Sequence, residues 1–163
     1  MIAEPWTDGE TAYGSGPGDR LRYLTDVMLA TVDALWGADF DEDSRLEGWT
    51  FGHVVTQLAR DADLRADELA LMRTGITPVF DPDRRWDPNP GHLRPGAVII
   101  DDVLVSLARF RSELGKIPES TWEENNEVLQ IVRGRIHALE NHLAALGVHS
   151  AEDARKLFAA TTG

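Results

Sequence analysis

The sequence predicts an all-α protein, an up-and-down four-helix bundle followed by a short C-terminal helix. Apolar residues recur every three or four positions in four long segments, as they do on the buried face of a helix. Capping residues, glycines or prolines mark the ends of these segments. The length of 163 residues fits a single domain with a core that needs no crosslinks.

The first helix is predicted from about Asp19 to Leu35, and Gly37 lies where a helix stop is expected. The residues before it are rich in Gly, Pro and Thr, which is typical of a mobile segment. We therefore expect residues 1–18 to form a flexible N-terminal tail and residues 19–163 to form the bundle domain. The inward residues of this helix are expected to be Leu21, Leu24, Val27, Met28, Thr31 and Leu35.

The second helix is predicted to begin after Thr50, which can cap it, and to end at Gly75. Five prolines follow between Ile76 and Pro95, and they exclude a helix there. A long loop between helices 2 and 3 is therefore expected, and loops of this length are usually functional or disordered. The apolar stripe of the helix consists of Phe51, Val54, Val55, Leu58, Ala62, Leu69 and Met72.

The third helix is predicted from about Gly96 to Leu114, with Leu104 among its inward residues. The fourth is predicted to begin at Ser120 or Thr121 and to stop at Gly147. Its apolar residues alternate spacings of three and four, the repeat expected of bundle packing. They are Leu129, Val132, Ile136, Leu139, Leu143 and Leu146.

A short fifth helix is predicted to begin at Ser150. The sequence Ser-Ala-Glu-Asp there resembles a capping box, and Leu157 and Phe158 can attach the helix to the bundle.

Composition excludes several classes of function. The net charge of −12 repels phosphate backbones and anionic lipid, so nucleic-acid and membrane partners are not expected. With no cysteine, the chain has no disulfide, thiolate metal site or cysteine nucleophile, and any thiol in its chemistry must come from a cosubstrate. There is no membrane-spanning apolar run and no secretory signal, so a cytoplasmic, soluble protein acting on a small molecule is expected.

Polar side chains that interrupt the apolar stripes indicate where a site could lie, because bundle sites are built from facing helices. His53, Gln57 and Arg60 lie one to two turns apart on the second helix. We assign Gln57 a catalytic role and His53 and Arg60 substrate binding. The alternative for His53 is a helix-start histidine bonded to backbone.

On the fourth helix, Glu140 and His137 are the catalytic candidates and Arg133 a substrate-binding one. Arg133, Arg135 or Arg85 could neutralise a desolvated Glu140. The alternative is that Glu140 is a solvated residue flanking the seam.

In the long loop, Arg85 and Trp86 are assigned substrate binding, since Arg84 and Arg85 before an aromatic residue could clamp a carboxylate. The alternative is that the arginines form a surface salt bridge and that Trp86 packs against the core. The acidic pairs are expected to face water: Asp101 and Asp102, and Glu123 and Glu124.

One segment carries a family resemblance. Residues 44–63, with Gly48-Trp49-Thr50, His53 and Gln57-Leu58-Ala59-Arg60, closely resemble the signature of the mycothiol-dependent maleylpyruvate isomerase N-terminal domain, a member of the DinB-like superfamily. Looser similarity continues to about Gly147. It includes Arg73-Thr74-Gly75, Thr77-Pro78-Val79-Phe80, Arg85-Trp86-Asp87, the stretch from Ile117 to Trp122, and Arg133 with Arg135.

The resemblance implies a DinB-like bundle that holds one divalent metal, usually zinc, and uses mycothiol as a cosubstrate for cis–trans isomerisation. Its ligands would be the histidine before Leu-Ala-Arg and a glutamate and a histidine four apart on the last helix. This chain has Gln57, Ile136 and Glu140 at those positions. Because a divalent site needs about three protein donors, we expect no metal and no other cofactor.

The sequence thus favours a metal-independent enzyme that catalyses isomerisation, cyclisation or a related proton-transfer rearrangement, in secondary metabolism. One alternative is a mycothiol-dependent isomerase or thiol S-transferase with a differently bound divalent metal. The other is a non-catalytic module that binds a small molecule or a protein. A homodimer is left open, since DinB-like relatives often dimerise.

Overall fold

In a computed structural model, the structure describes residues 13–76, 78 and 94–162, with side chains up to residue 157. The helices are α1 (Pro17–Ala34), α2 (Phe51–Thr74), α3 (Gly96–Gly115), α4 (Asn126–Ala145) and α5 (Ala151–Thr162), with a 3-10 helix (Glu119–Glu124) before α4. Within these residues there is no strand, only an isolated bridge between Asp43 and Thr50. The all-helical fold is confirmed.

Local sequence sets both ends of α2. The Oγ1 atom of Thr50 accepts a hydrogen bond from the backbone N–H of His53 at 3.3 Å, which satisfies one of the free donors of the first turn. Gly75 has φ of 72°, a left-handed conformation that glycine adopts without a Cβ clash. The predicted cap and stop are both confirmed.

The first helix starts slightly earlier than predicted. Pro17 occupies the first turn, where its missing N–H is no loss. The side chain of Asp19 accepts from the Gly16 N–H at 3.2 Å and closes that turn.

The fourth helix starts later than predicted. Residues 119–124 form the 3-10 helix, and the Asn125 side chain caps α4 by accepting from the Val128 N–H at 3.3 Å. The predicted start at Ser120 or Thr121 is therefore wrong, because these two residues belong to the 3-10 helix and Asn125 supplies the cap. At the other end, Ser150 Oγ accepts from the Asp153 N–H at 3.1 Å, as predicted for the start of α5.

The helices pack in a definite set of pairs. The second helix packs against α3 and α4, and α1 packs against α4 and α5. Most residues of the predicted apolar stripes are buried between them, and four are partly buried: Phe51, Met72, Leu114 and Leu129. Leu104 is 38% exposed, which contradicts the inward position expected for it. Ser106 and Leu107 take the buried positions on that part of α3.

None of the helices in residues 13–76 and 94–162 is long and apolar enough to cross a membrane.

Candidate functional site

The start of α2 holds His53 in place. His53 is buried, and its Nδ1 accepts a hydrogen bond from the Thr50 backbone N–H at 3.0 Å. Its ring stacks on Trp49 with centroids 5.6 Å apart. These contacts agree with the alternative given for His53, a histidine at the helix start that is hydrogen-bonded to the backbone. Its substrate-binding role stays a prediction.

Gln57 lies one turn further along α2 and is half-buried. No hydrogen bond of its side-chain amide is recorded in the part of the chain that the structure describes. An amide with free donors and an acceptor can orient a carbonyl group of a ligand.

Glu140 lies beside the seam of α4, one turn after the buried Ile136. Its carboxylate pairs with the guanidinium of Arg20 on α1 at 3.5 Å, with side-chain exposures of 30% and 20% for Glu140 and Arg20. The ion pair is therefore accessible from solvent on one side. Arg20, from a different helix, is the partner that the sequence did not identify.

Arg135 has a different partner from the one considered for it. Its side chain is fully buried and donates from Nη1 to Asp61 Oδ2 at 2.8 Å and to the Leu58 carbonyl at 3.1 Å. The guanidinium also lies over the Phe110 ring, 5.6 Å from its centroid. Burial lowers the pKa of Arg135 and the Asp61 carboxylate opposes this shift. Arg135 therefore joins α4 to α2 and does not neutralise Glu140.

His142 lies near this buried pair. Its Nδ1 donates to the Ala138 carbonyl, 2.6 Å away, which fixes the proton on that nitrogen in the neutral ring. Burial lowers the pKa of His142, and the positive charge of Arg135 acts in the same direction, while the Ala138 carbonyl and Asp61 oppose them. The neutral ring is thus the form that the fold favours.

A second set of charges joins α2 to α3. Asp102 accepts from Arg60 at 2.7 Å and from Arg94 at 2.9 Å, and Arg60 also lies 3.1 Å from Asp63. The expectation that Asp102 faces water is wrong, because these two guanidinium groups compensate its burial. The guanidinium of Arg60 is already paired with carboxylates, and its predicted contact with substrate remains untested.

The other predicted residues are distributed as follows. Arg133 and His137 are exposed on α4. Asp101 on α3 is exposed, as are Glu123 and Glu124 in the 3-10 helix, and all three were expected to face water. Four loop residues lie outside the described part of the chain: Arg84, Arg85, Trp86 and Asp87.

The residues at the three positions that resemble a metal site do not fit a metal. They supply the Gln57 amide, the Ile136 alkyl chain and the Glu140 carboxylate, and that carboxylate is already paired with Arg20. Nor do the described residues contain any other group of three His, Cys, Asp or Glu side chains able to hold an ion. A divalent cation therefore lacks the donors it needs at this position.

Two features of the site went unrecognised in the sequence. Arg135 lies between Val132 and Leu139 on the buried face of α4. An arginine at a buried helix position needs a carboxylate partner, because its charge is removed from water. Asp61, beside the buried Ala62, supplies it. For Arg20 there was no such signal, because the residue lies on the flank of α1 and its partner is 120 positions away.

Comparisons with known proteins agree with this architecture. The sequence matches the family model of the mycothiol maleylpyruvate isomerase N-terminal domain over residues 21–152. A similar solved structure is the crystal structure of a mycothiol-dependent maleylpyruvate isomerase mutant with one histidine replaced by alanine. It has a TM-score of 0.63 and 21% sequence identity, over 90% of this chain and 68% of the other, which shows a shared fold. No curated protein matches the sequence.

Proposed function

Because the chain belongs to the mycothiol maleylpyruvate isomerase N-terminal domain family, we propose that it is a small-molecule enzyme that uses this family's bundle without a metal. The reaction class is an isomerisation, a cyclisation or a related proton-transfer rearrangement, within secondary metabolism. The observation that carries the proposal is the partly exposed Glu140–Arg20 pair at a position where the family resemblance implies a metal ligand.

Glu140 is the general acid and base of the proposed reaction. Its carboxylate takes a proton from a carbon next to a substrate carbonyl, and the electron pair moves to the carbonyl oxygen. The same carboxyl group then returns the proton to a different carbon or to an oxygen. The exposed side of the Glu140 side chain is where substrate would approach.

Gln57 and Arg20 supply the electrostatic part. The Gln57 amide N–H donates to the carbonyl oxygen on which negative charge develops. Arg20 orients Glu140 and can bind a carboxylate of the substrate once its 3.5 Å contact with Glu140 loosens. His137 as a further acid or base, and His53, Arg60, Arg85, Trp86 and Arg133 as substrate-binding residues, complete the proposed site.

The test uses maleylpyruvate, which the similar solved enzyme is named for, together with other small unsaturated oxo acids. Turnover is measured with and without mycothiol and with and without a chelator. We expect turnover that is insensitive to the chelator and falls about a hundredfold or more in Glu140→Gln and in Gln57→Ala. Glu124→Gln removes an exposed carboxylate from the 3-10 helix and is the control.

Two results would count against the proposal. Equal rates in wild type, Glu140→Gln and Gln57→Ala would remove both residues from the chemistry. Absence of turnover with every oxo acid tried would favour the non-catalytic module instead.

A second candidate function keeps the thiol. The family model and the similar structure both carry mycothiol in their names, which favours mycothiol as a cosubstrate of this chain. An isomerase or thiol S-transferase of this kind would lose all turnover when mycothiol is omitted. Loss of turnover with the chelator as well would require a metal bound by residues other than the three positions discussed here.

A further inference from the structure

A cavity away from Glu140 and Gln57 lies between α1, the end of α3 and the 3-10 helix. It has a volume of about 330 Å³, within the range of small-ligand pockets. Its walls are largely apolar and come from three elements. The wall residues are Leu21 and Thr25 of α1, Phe110 and Leu114 of α3, and Ile117 and Trp122 beyond it.

The walls are fixed by the fold. Phe110 is almost fully buried and extends from the cavity into the core, where it lies under the Arg135 guanidinium. The indole N–H of Trp122 donates to the Ile117 carbonyl at 3.2 Å, which fixes the orientation of that ring. A cavity with pinned aromatic walls needs little reorganisation to accept an apolar ligand.

Three charged residues line the cavity: Arg22, Arg111 and Glu119. Arg22 donates to Glu119 at 2.5 Å and, outside the lining, to Asp19 at 2.5 Å, so both of its contacts are with carboxylates of the protein. Arg111 is exposed and also lines the cavity. Within residues 13–76 and 94–157 no carboxylate pairs with it. The lining therefore holds two guanidinium groups and one carboxylate, and Arg111 is the lining cation without a carboxylate contact among these residues.

We infer that this cavity binds a small aromatic carboxylate, with the ring between the apolar walls and the carboxylate on Arg111. Charge complementarity favours an anion over a neutral or cationic ligand of the same shape, because Arg111 is the lining cation whose charge no described carboxylate neutralises. The volume limits the ligand to about one or two rings. This site shares no residue with the proposed catalytic site, so the two can be tested separately.

The experiment measures binding of 2-naphthoate and of 2-naphthylmethanol, its uncharged analogue, by titration calorimetry and by NMR of the tryptophan indole N–H groups. The Trp122 resonance is assigned with Trp122→Phe. We expect 2-naphthoate to bind saturably, to shift the Trp122 resonance, and to bind more tightly than the alcohol.

Variants locate the charge and the cavity. Arg111→Gln is expected to weaken 2-naphthoate binding about two- to fivefold, the range for one exposed charge pair, and to leave the alcohol unaffected. Arg155→Gln removes an equally exposed arginine from α5 and is the matched control. Leu114→Trp fills the cavity and should abolish binding of both probes, with folding checked by circular dichroism.

The proposal is overturned if 2-naphthoate shows no saturable binding to the wild type, or if its binding leaves the Trp122 resonance in place. Equal affinity of Arg111→Gln and wild type for 2-naphthoate would remove the assigned role of the charge. Should Leu114→Trp misfold, the Arg111→Gln comparison and the Trp122 resonance still decide the matter.

Discussion

Two arginine–carboxylate pairs on α4, five residues apart, differ in burial. The Arg135–Asp61 pair spans 2.8 Å, with side-chain exposures of 0% and 8%. The Arg20–Glu140 pair spans 3.5 Å, with side-chain exposures of 20% and 30%. The first joins two helices inside the core, and the second faces solvent at the edge of the bundle.

The difference in burial predicts different roles for the two pairs. Removing one partner of a buried pair leaves a charge without solvent or counter-ion, which costs the fold heavily. A partly exposed pair contributes less to stability because water screens it, so a ligand can replace one partner at smaller cost. We therefore expect the fold to depend on Arg135, and the role proposed for Glu140 needs a pair that a ligand can open.

The largest effect is expected for Arg135→Leu, because it removes the nearer of the two cations that pair with the buried Asp61 and leaves Arg65, 3.4 Å away. We expect the free energy of unfolding to fall by about 3 kcal/mol, the lower end of the range for a broken buried pair, measured by chemical denaturation. Arg133→Leu, two residues earlier at an exposed position, is the control and should change the stability by no more than about 0.5 kcal/mol.

A double variant sharpens that result. Arg135→Leu combined with Asp61→Leu removes both charges and should recover much of the stability lost in the single variant. A single variant as stable as the wild type would contradict the importance of the buried pair.

The next effect concerns Asp102 in the α2–α3 interface. Asp102→Asn weakens two charged hydrogen bonds, from Arg60 and Arg94, and should cost about 2–3 kcal/mol of unfolding free energy. Its neighbour Asp101 is exposed, and Asp101→Asn should be nearly neutral. Equal stability of the two variants in thermal denaturation would show that burial of Asp102 does not matter.

A small effect on stability is expected at the other pair. Glu140→Gln should lower the unfolding free energy by at most about 1 kcal/mol, since the pair with Arg20 is partly exposed and its atoms are 3.5 Å apart. Arg20→Gln should give a similarly small value. A loss as large as that of Arg135→Leu would make the Arg20–Glu140 pair a structural element and remove the contrast between the two pairs.

The smallest effect is a pH dependence from His142, whose pKa burial lowers from 6.5. The unfolded chain binds a proton more readily than the folded chain. Stability is therefore full above about pH 6.5 and falls as the pH drops toward the lowered folded pKa. His142→Gln should reduce the fall in melting temperature between about pH 7.5 and 5.5, compared with wild type. If the melting temperature of His142→Gln fell as much as that of the wild type over this pH range, the result would contradict the buried, neutral state of the His142 ring.

Local features of the fold could be predicted from the sequence. Thr50 and Gly75 act on the backbone within a few residues, so the bounds of α2 follow from residue type alone. The start of α4 could not be predicted as well, because Ser120, Thr121 and Asn125 compete as caps and only packing selects Asn125. The family resemblance read from residues 44–63 is confirmed by the match over residues 21–152.

The candidate site was predicted less completely than the fold. Gln57 and Ile136, at positions where the family resemblance implies metal ligands, can each be identified from the sequence of a single helix. Which arginine meets Glu140, and which carboxylate meets Arg135, depends on how helices pack. The partners Arg20 and Asp61 come from α1 and α2, and periodicity within α4 carries no information about them.

Metal content tests the central proposal that a partly exposed acid and arginine lie where the family resemblance implies a bound metal. Protein purified without chelator is analysed for zinc and other divalent metals, beside the variant Gln57→His/Ile136→Glu/Glu140→His, which restores three donors. We expect the wild type to hold less than about 0.1 equivalents and the restored variant to hold about one. About one equivalent of tightly bound metal in the wild type would contradict the account.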